Sequence, residues 1–152
     1  MATKSEVEVE VKSAPEKFWE AIRDSTELFP KIFPEQYKTI ELLEGDGKSV
    51  GSVRLVKYAE GTPVVTFAKE KVETVEVENK MVSYSVIDGE ILNLYKNFKA
   101  TLQVIPKPGA EGCLVKWTLE YDKASDEVPE PELIKEAAVK TFHGLDAYLQ
   151  NN

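Results

Sequence analysis

The chain has 152 residues and a mass of 17.1 kDa, the size of one domain. Acidic residues outnumber lysine and arginine by 27 to 19, and the net charge of −8 opposes binding to nucleic acid, whose affinity comes largely from basic side chains. With only Cys113 and His143, the chain cannot form an internal disulfide and is a poor candidate for zinc or iron. We therefore expect a single domain over residues 1–152 without a metal or other cofactor.

No segment of the sequence predicts membrane insertion. The first twelve residues alternate charge with valine instead of forming the apolar run of a secretory signal. The longest apolar stretches are far shorter than the ~20 residues that span a bilayer. We expect a cytoplasmic protein with one free thiol.

The first elements are a strand and two short helices. Val7, Val9 and Val11 alternate with glutamates, which predicts a strand with one acidic face. Ser13 and Glu16 have the spacing of a capping box, so a helix of about ten residues should follow. A second helix is predicted near residues 26–33, where an interior proline limits its length or bends it.

From residue 37 onward the apolar period is two for about 85 residues, and a helix ends the chain. Short turn sequences rich in glycine and proline separate the strands, which favours antiparallel pairing. Pro129 and Pro131 precede the long amphipathic helix, which runs to about Leu149. The predicted fold is α+β, a seven-stranded antiparallel sheet that wraps the last helix. The six strands lie near 37–44, 51–58, 63–75, 79–88, 93–105 and 112–122.

Four segments together resemble a known plant family. Residues 28–34 are similar to its second helix, 44–51 with Gly45, Gly47 and Gly51 to its glycine-rich loop, and 84–89 to its fifth strand and turn. By these segments the chain resembles the birch pollen allergen superfamily, the class-ten pathogenesis-related proteins. Its ending, residues 142–149, is similar to the major latex protein branch. The pollen-allergen subgroup has additional adjacent glycines where this loop has residues 48–50.

The resemblance implies a helix-grip, START-like fold with an internal cavity. Relatives hold amphipathic small molecules there, such as lysophospholipids, fatty acids, sterols, hormones or secondary metabolites, which implies a carrier or sensor in plant defence or stress. The residues alone leave a solid core open as the alternative. Small side chains at Ala138 and Thr141, in the middle of the helical stripe, are consistent with unfilled space opposite the sheet.

Candidate ligand contacts come from the phase of each strand. Alternation places Val115, Trp117, Val82, Tyr84 and Val86 on the inner face. The third strand is ambiguous by itself. Matching the loop spacing to the family turns Arg54, Val56 and Tyr58 inward, and likewise Val65, Phe67 and Lys69 on the fourth strand and Phe98, Ala100 and Leu102 on the sixth. Ile32 and the helix residues Ile134, Ala138, Thr141, Phe142 and Leu145 complete the predicted set.

Two features suggest a polar ligand group. An inward Arg54 would be costly if unpaired, so it either binds a ligand carboxylate or phosphate, alone or together with Lys69, or pairs with an internal Glu or Asp. It could also extend to the cavity mouth. The loop ends in Gly47-Lys48-Ser49, like a phosphate-binding loop, but Leu42 replaces the first glycine of that motif and a strand follows instead of a helix.

The sequence favours binding over catalysis. One histidine cannot be assigned to a catalytic triad, and His143 falls opposite the apolar stripe of its helix. Tyr84 and Lys69 could transfer protons in a cavity, and some members of the superfamily are condensing enzymes, so a condensing or cyclising enzyme is the alternative. An interaction module whose ligand changes the surface shown to a protein partner, or a weak homodimer, also stays open. Ribonuclease activity fits poorly with the acidic net charge.

Overall fold

The computed structural model describes residues 3–60, 66–107 and 112–151. In these ranges the chain forms one antiparallel sheet, three α-helices and one short 3₁₀ helix. The element order is the one that the sequence predicts. The elements are β1 (Thr3–Val11), α1 (Pro15–Arg23), α2 (Ser25–Ile32), β2 (Tyr37–Glu44), β3 (Val53–Tyr58), β4 (Phe67–Glu76), β5 (Met81–Gly89), the 3₁₀ helix (Glu90–Asn93), β6 (Tyr95–Pro106), β7 (Cys113–Lys123) and α3 (Glu132–Gln150).

The described residues form seven strands in the order β1-β7-β6-β5-β4-β3-β2. Strands β2 to β7 follow one another as a meander, and β1 pairs with β7, so the first and last strands lie side by side. Val9 is opposite Val115 in that pair, and Tyr84 is opposite Ala100 between β5 and β6. The predicted α+β class and the seven-stranded antiparallel sheet are confirmed.

Irregular pairing accompanies the curvature of the sheet. The register of β4 against β5 shifts twice, between Lys69 and Glu70 and between Val72 and Thr74, and β6 shifts against β7 at Asn97, whose φ is +53°. An extra residue in one strand bends that strand and increases its twist. The bends give the sheet a concave face, and α3 lies across it.

The start of α1 differs from its prediction. Ser13 does not cap the helix, which begins after Ala14 without a side-chain hydrogen bond. The Ser13 hydroxyl instead donates to the Asp146 carboxylate at 2.6 Å, and the backbone N–H groups of Lys12 and Ser13 donate to the same carboxylate. A buried hydrogen bond to a carboxylate is stronger than a neutral capping bond. The chain therefore uses Ser13 to attach α3 to the connection between β1 and α1.

The C-terminal half of α3 packs into a solid core. Phe142 makes edge contacts with Phe18 and Trp117, with ring centroids 6.4 and 6.3 Å apart. Leu145 is completely buried, as are Val115 and Leu119 on the sheet, while Phe18 belongs to the same core from α1. Gly144 permits close contact with α2, because a Cβ at this position would lie 2.7 Å from a ring carbon of Phe33.

No helix within the described ranges has the length and apolar character needed to cross a membrane.

Candidate ligand cavity

A cavity of about 920 Å³ lies between the concave face of the sheet and the N-terminal half of α3. This volume is within the 300–1,000 Å³ range of small-molecule sites. The cavity is open to solvent where exposed lining residues from three elements meet, among them Glu35, Glu60, Leu133 and Lys140. We call this opening the mouth.

Most of the wall is apolar. The middle strands contribute branched and aromatic side chains because every second residue of a strand faces the same side of the sheet. Helix α3 contributes small side chains, Ala137 and Ala138, at the level of the cavity. Both tryptophans of the chain, Trp19 and Trp117, line it. Further apolar lining residues are Val72, Val75, Val82, Val86, Ile91, Leu94, Phe98, Ala100 and Leu102.

One ion pair interrupts the apolar wall. The Arg54 guanidinium donates from Nε to Oε1 of Glu70 at 2.8 Å and from Nη1 to the Ser25 hydroxyl at 2.8 Å. Its Nη2 completes the ion pair, 2.8 Å from the same Oε1. Its Cζ also lies 5.7 Å from the ring centre of Tyr84. Burial by itself lowers the pKa of Arg54, but the adjacent Glu70 outweighs it and raises the pKa above its usual value. Arg54 therefore pairs with an internal carboxylate, which was one of its three predicted roles.

Three tyrosines line the cavity around this pair. Tyr37 and Tyr58 stack near each other, with ring centres 5.9 Å apart, and Tyr84 lies against Arg54. Burial, followed by the charge of Glu70, raises the pKa of Tyr37 to about 12 and the pKa of Tyr58 and Tyr84 well above the usual value. All three phenols are protonated at neutral pH and can donate or accept hydrogen bonds.

Most residues that the sequence proposes as ligand contacts do line this cavity. They come from β5 and β7, whose phases the alternation predicts, from β3 and β6, whose phases the family resemblance implies, and from the apolar stripe of α3. Their role in binding stays a prediction. These residues are Arg54, Tyr58, Val82, Tyr84, Val86, Phe98, Ala100, Leu102, Trp117, Ile134, Ala138, Thr141 and Phe142, together with Gly47 of the glycine-rich loop.

Another group of proposed contacts is buried but does not line the cavity. Val115 and Leu145 lie in the solid core beside the C-terminal half of α3, where no surface is accessible. Val56 is 2% exposed between neighbouring strands, and Ile32 packs against the core from α2. The patterns that predict an inward face do not tell where along that face the sheet and the helix separate.

The predicted phase of β4 is wrong. Phe67 and Lys69 face outward and line a shallow depression on the opposite surface of the sheet, whereas Ala68, Glu70 and Val72 face the cavity. The pairing of Arg54 with Glu70 across β3 and β4 requires this phase. The remaining proposed contact on this part of the chain, Val65, lies outside the described residues.

Glu70 is the most important residue that the sequence analysis missed. The signal for it was present, because Lys69, Lys71 and Glu73 form a charged outer row that is typical of a solvated strand face. An inward Arg54 also calls for an inward carboxylate on an adjacent strand. Trp19 was predicted to face the core as part of an amphipathic helix, but nothing local indicates that it reaches the cavity.

The glycine-rich loop closes one end of the cavity and cannot cradle a phosphate. Gly47 and Lys48 line the cavity, and the Lys48 ammonium is 2.9 Å from Asp24 at the junction of α1 and α2. The backbone N–H groups of Lys48 and Ser49 both donate to Asp46 at 2.8 Å. These hydrogen bonds lower the pKa of Asp46 to about 2, so the loop already holds its own anion. These contacts agree with the sequence departures that disfavour a phosphate-binding loop here.

The fold and cavity define a class of protein, the helix-grip domain, in which a curved sheet and a C-terminal helix enclose a hollow. The sequence profile of the Pathogenesis-related protein Bet v 1 family matches residues 1–152, and the chain belongs to this family. It is 53% identical over 143 residues to MLP-like protein 423 of Arabidopsis thaliana, which covers 94% of this chain and 91% of that protein. MLP-like protein 43 of the same plant is 36% identical over 146 residues, 96% of this chain and 92% of that protein.

Solved structures show the same fold at low sequence identity. Ginseng major latex-like protein 151 from Panax ginseng superposes with a TM-score of 0.86 at 24% identity, over 97% of each chain. Norcoclaurine synthase from Thalictrum flavum superposes with a TM-score of 0.85 at 20% identity, over 100% of this chain and 88% of that one. At these identities the likeness concerns the fold alone.

Proposed function

We propose that this protein binds one amphipathic or hydrophobic small molecule in the cavity and releases it unchanged, as a carrier or sensor. The observation that carries the proposal is the large, mainly apolar hollow beside a fully packed core. Around Leu145 the same sheet and helix fill the space between them with side chains, so the unfilled space beside this core supports a binding site. Membership of a family described as pathogenesis-related supports a role in plant defence or stress.

The energetics favour an apolar ligand body with one polar group. Each 100 Å² of apolar surface removed from water contributes about 2.5 kcal/mol before the costs of ordering the ligand. A polar ligand group that is buried against the same wall without a hydrogen-bond partner would cost a comparable free energy. The Arg54–Glu70 pair is the polar feature of the deep wall that can fix the orientation of a bound molecule.

The chemistry of the wall supports binding over turnover. Lys69, one of two residues considered for proton transfer, lies on the outer face of the sheet. The other, Tyr84, has a raised pKa because of its burial and the charge of Glu70, so it stays protonated at neutral pH and is a poor proton donor. Among the described residues that line the cavity there is no histidine or cysteine. These features disfavour the alternative of a condensing or cyclising enzyme.

The test is a titration of delipidated protein with N-phenyl-1-naphthylamine, a neutral probe that fluoresces in apolar sites. We expect saturable binding of one probe per chain, accompanied by a change in the fluorescence of Trp19 and Trp117. Ala138→Phe should fill the hollow and weaken binding by about tenfold or more, while the melting temperature stays near that of the wild type.

Ala147→Phe is the matched control, because Ala147 is exposed on the same helix and does not line the cavity. It should leave probe affinity unchanged. Absence of saturable binding in the wild type, or equal affinity in the wild type and a folded Ala138→Phe variant, would overturn the proposed function.

A further inference from the structure

We propose that the polar group of the ligand is a hydrogen-bond donor, a hydroxyl or an ammonium, which binds Oε2 of Glu70, and that the cavity disfavours acids. This inference rests on the proposed function and names the chemical class of ligand. It reverses the expectation that Arg54 receives an acidic headgroup.

The first step concerns Arg54, whose positive charge Glu70 already compensates. Its Nε donates to Glu70, its Nη2 lies 2.8 Å from the same carboxylate oxygen, and its Nη1 donates to Ser25. Its side chain is 17% exposed and lies in the cavity wall. A ligand acid would have to compete with Glu70 for the guanidinium, and the loser would be a buried carboxylate without a countercharge.

The second step concerns the free oxygen of Glu70. Both contacts with Arg54 use Oε1, and no donor in the described parts of the chain reaches Oε2. A carboxylate can accept about four hydrogen bonds, so Glu70 retains acceptor capacity. The residue is only 8% exposed and lines the cavity. Because Glu70 lies in a mainly apolar wall and is largely removed from bulk water, a ligand donor at Oε2 forms a stronger charge-assisted hydrogen bond than the same group would form in water.

The third step concerns the three phenols. Tyr37, Tyr58 and Tyr84 line the same cavity as Glu70, and the Tyr84 ring lies against the Arg54 partner of that carboxylate. The charge of Glu70 contributes to the raised pKa of all three phenols. They remain protonated and uncharged. A hydroxyl or ammonium bound to Glu70 can therefore also donate to a phenol oxygen, whereas a carboxylate would meet the negative charge of Glu70 with no unpaired cation beside it.

The charges at the mouth also disfavour acidic ligands, although more weakly. Carboxylates exceed ammonium groups there, even when the ion pairs of Glu130 with Lys123 and of Glu132 with Lys135 are counted. An acidic entrance on a protein of net charge −8 slows the approach of anions and favours neutral or cationic molecules at low ionic strength. The lining carboxylates at the mouth are Glu35, Glu60, Glu130, Glu132 and Glu136, and Lys140 is the lining ammonium.

The experiment compares three ligands with one tail, namely dodecylamine, dodecan-1-ol and dodecanoate, as competitors of bound N-phenyl-1-naphthylamine at pH 7.4. We expect the amine and the alcohol to displace the probe at concentrations about tenfold or more below that of dodecanoate. In Glu70→Gln the order should reverse, since Arg54 then carries an uncompensated positive charge. Glu73→Gln, the same change on the outer face of the same strand, should leave the order as in the wild type.

A measurement on the wild type keeps the inference testable if Glu70→Gln does not fold. The side-chain carboxyl carbon of Glu70 should shift in ¹³C spectra when dodecan-1-ol or dodecylamine is added, whereas that of exposed Glu41 should not. Equal displacement by all three ligands, preferred displacement by dodecanoate, or an unshifted Glu70 signal would overturn the inference and leave the proposed function intact. If the probe itself does not bind, the proposed function fails and this inference fails with it.

Discussion

The two halves of α3 face the same sheet, but one half packs against it and the other half leaves a cavity. The C-terminal half, around Leu145, is packed without accessible space against Val115 and Leu119. The N-terminal half, around Ala138, stands over a hollow of about 920 Å³. Apolar periodicity is the same along both halves, so periodicity does not decide which half is filled. The difference comes from side-chain size on the helix and from bends in the sheet opposite it.

Hydrogen bonds anchor the packed half of α3. Asp146 accepts three hydrogen bonds from the connection between β1 and α1, and Gly144 lets Phe33 contact the helix backbone closely. Together these contacts attach α3 at one end. The N-terminal end of α3 can therefore border the mouth, because the attachment of the helix to the domain does not depend on contacts at that end.

The largest expected effect is a difference in unfolding free energy between substitutions of two leucines in α3. Leu145→Ala should lower the free energy of unfolding by about 2–5 kcal/mol, because it creates a void in a packed core. Leu133→Ala is the control, since Leu133 is 62% exposed at the mouth and should cost less than about 0.5 kcal/mol. Urea unfolding followed by tryptophan fluorescence measures both. Equal losses would contradict the division of α3 into a solid and a hollow half.

Asp146→Asn should cost about 1.5–3 kcal/mol at pH 7, the contribution of hydrogen bonds to a charged group. Burial raises the pKa of Asp146, but the bonds from Ser13 and Lys12 outweigh it and the net pKa is lowered. Its stabilisation is therefore complete above the unfolded pKa of about 3.9 and is lost as pH falls through the folded value.

The difference in unfolding free energy between wild type and Asp146→Asn should accordingly shrink as the pH is lowered below about 3.9. Asp126→Asn, at an exposed position, is the control and should show little difference at any pH. A difference for Asp146→Asn that stays constant from pH 7 to pH 3 would show that the attachment does not depend on the carboxylate charge.

The smallest predicted effect is a loss of stability from a substitution that usually increases it. Replacing a glycine inside a helix with alanine commonly gains up to about 1 kcal/mol. Gly144→Ala should instead lose about 1 kcal/mol, because its Cβ would lie 2.7 Å from a carbon of the buried Phe33 ring and overpacking outweighs the gain. The double variant Phe33→Leu with Gly144→Ala should recover part of the loss. A stabilised single variant would show that α2 and α3 are not in close contact here.

The fold could be predicted from the sequence because its signals are redundant. Alternation, turn residues and the amphipathic helix all indicate the same element order, and the phases of β5 and β7 follow from alternation. The phases of β4 and β6 follow from the family resemblance, which is correct for β6 and wrong for β4. The charged row of Lys69, Lys71 and Glu73 was the local signal for the outer face of β4.

The site was predictable only in part, for a physical reason. Inward orientation follows from the local pattern of a strand, but the boundary between solid and hollow follows from how far the helix stands from the sheet, which no local pattern records. Val115 and Leu145 were therefore assigned to the cavity although they lie in the packed core. The role of Ser13 was missed because its partner, Asp146, is 133 residues away.

The central claim is that α3 stands over a ligand site only as far as Phe142, and methyl-resolved NMR tests it most directly. On titration with N-phenyl-1-naphthylamine, the ¹H–¹³C methyl signals of Val82, Val86, Leu102, Ile134 and Ala138 should shift with one saturating curve. Those of Leu119 and Leu145 should stay in place. Shifts spread equally over both groups, or confined to Leu119 and Leu145, would contradict the account.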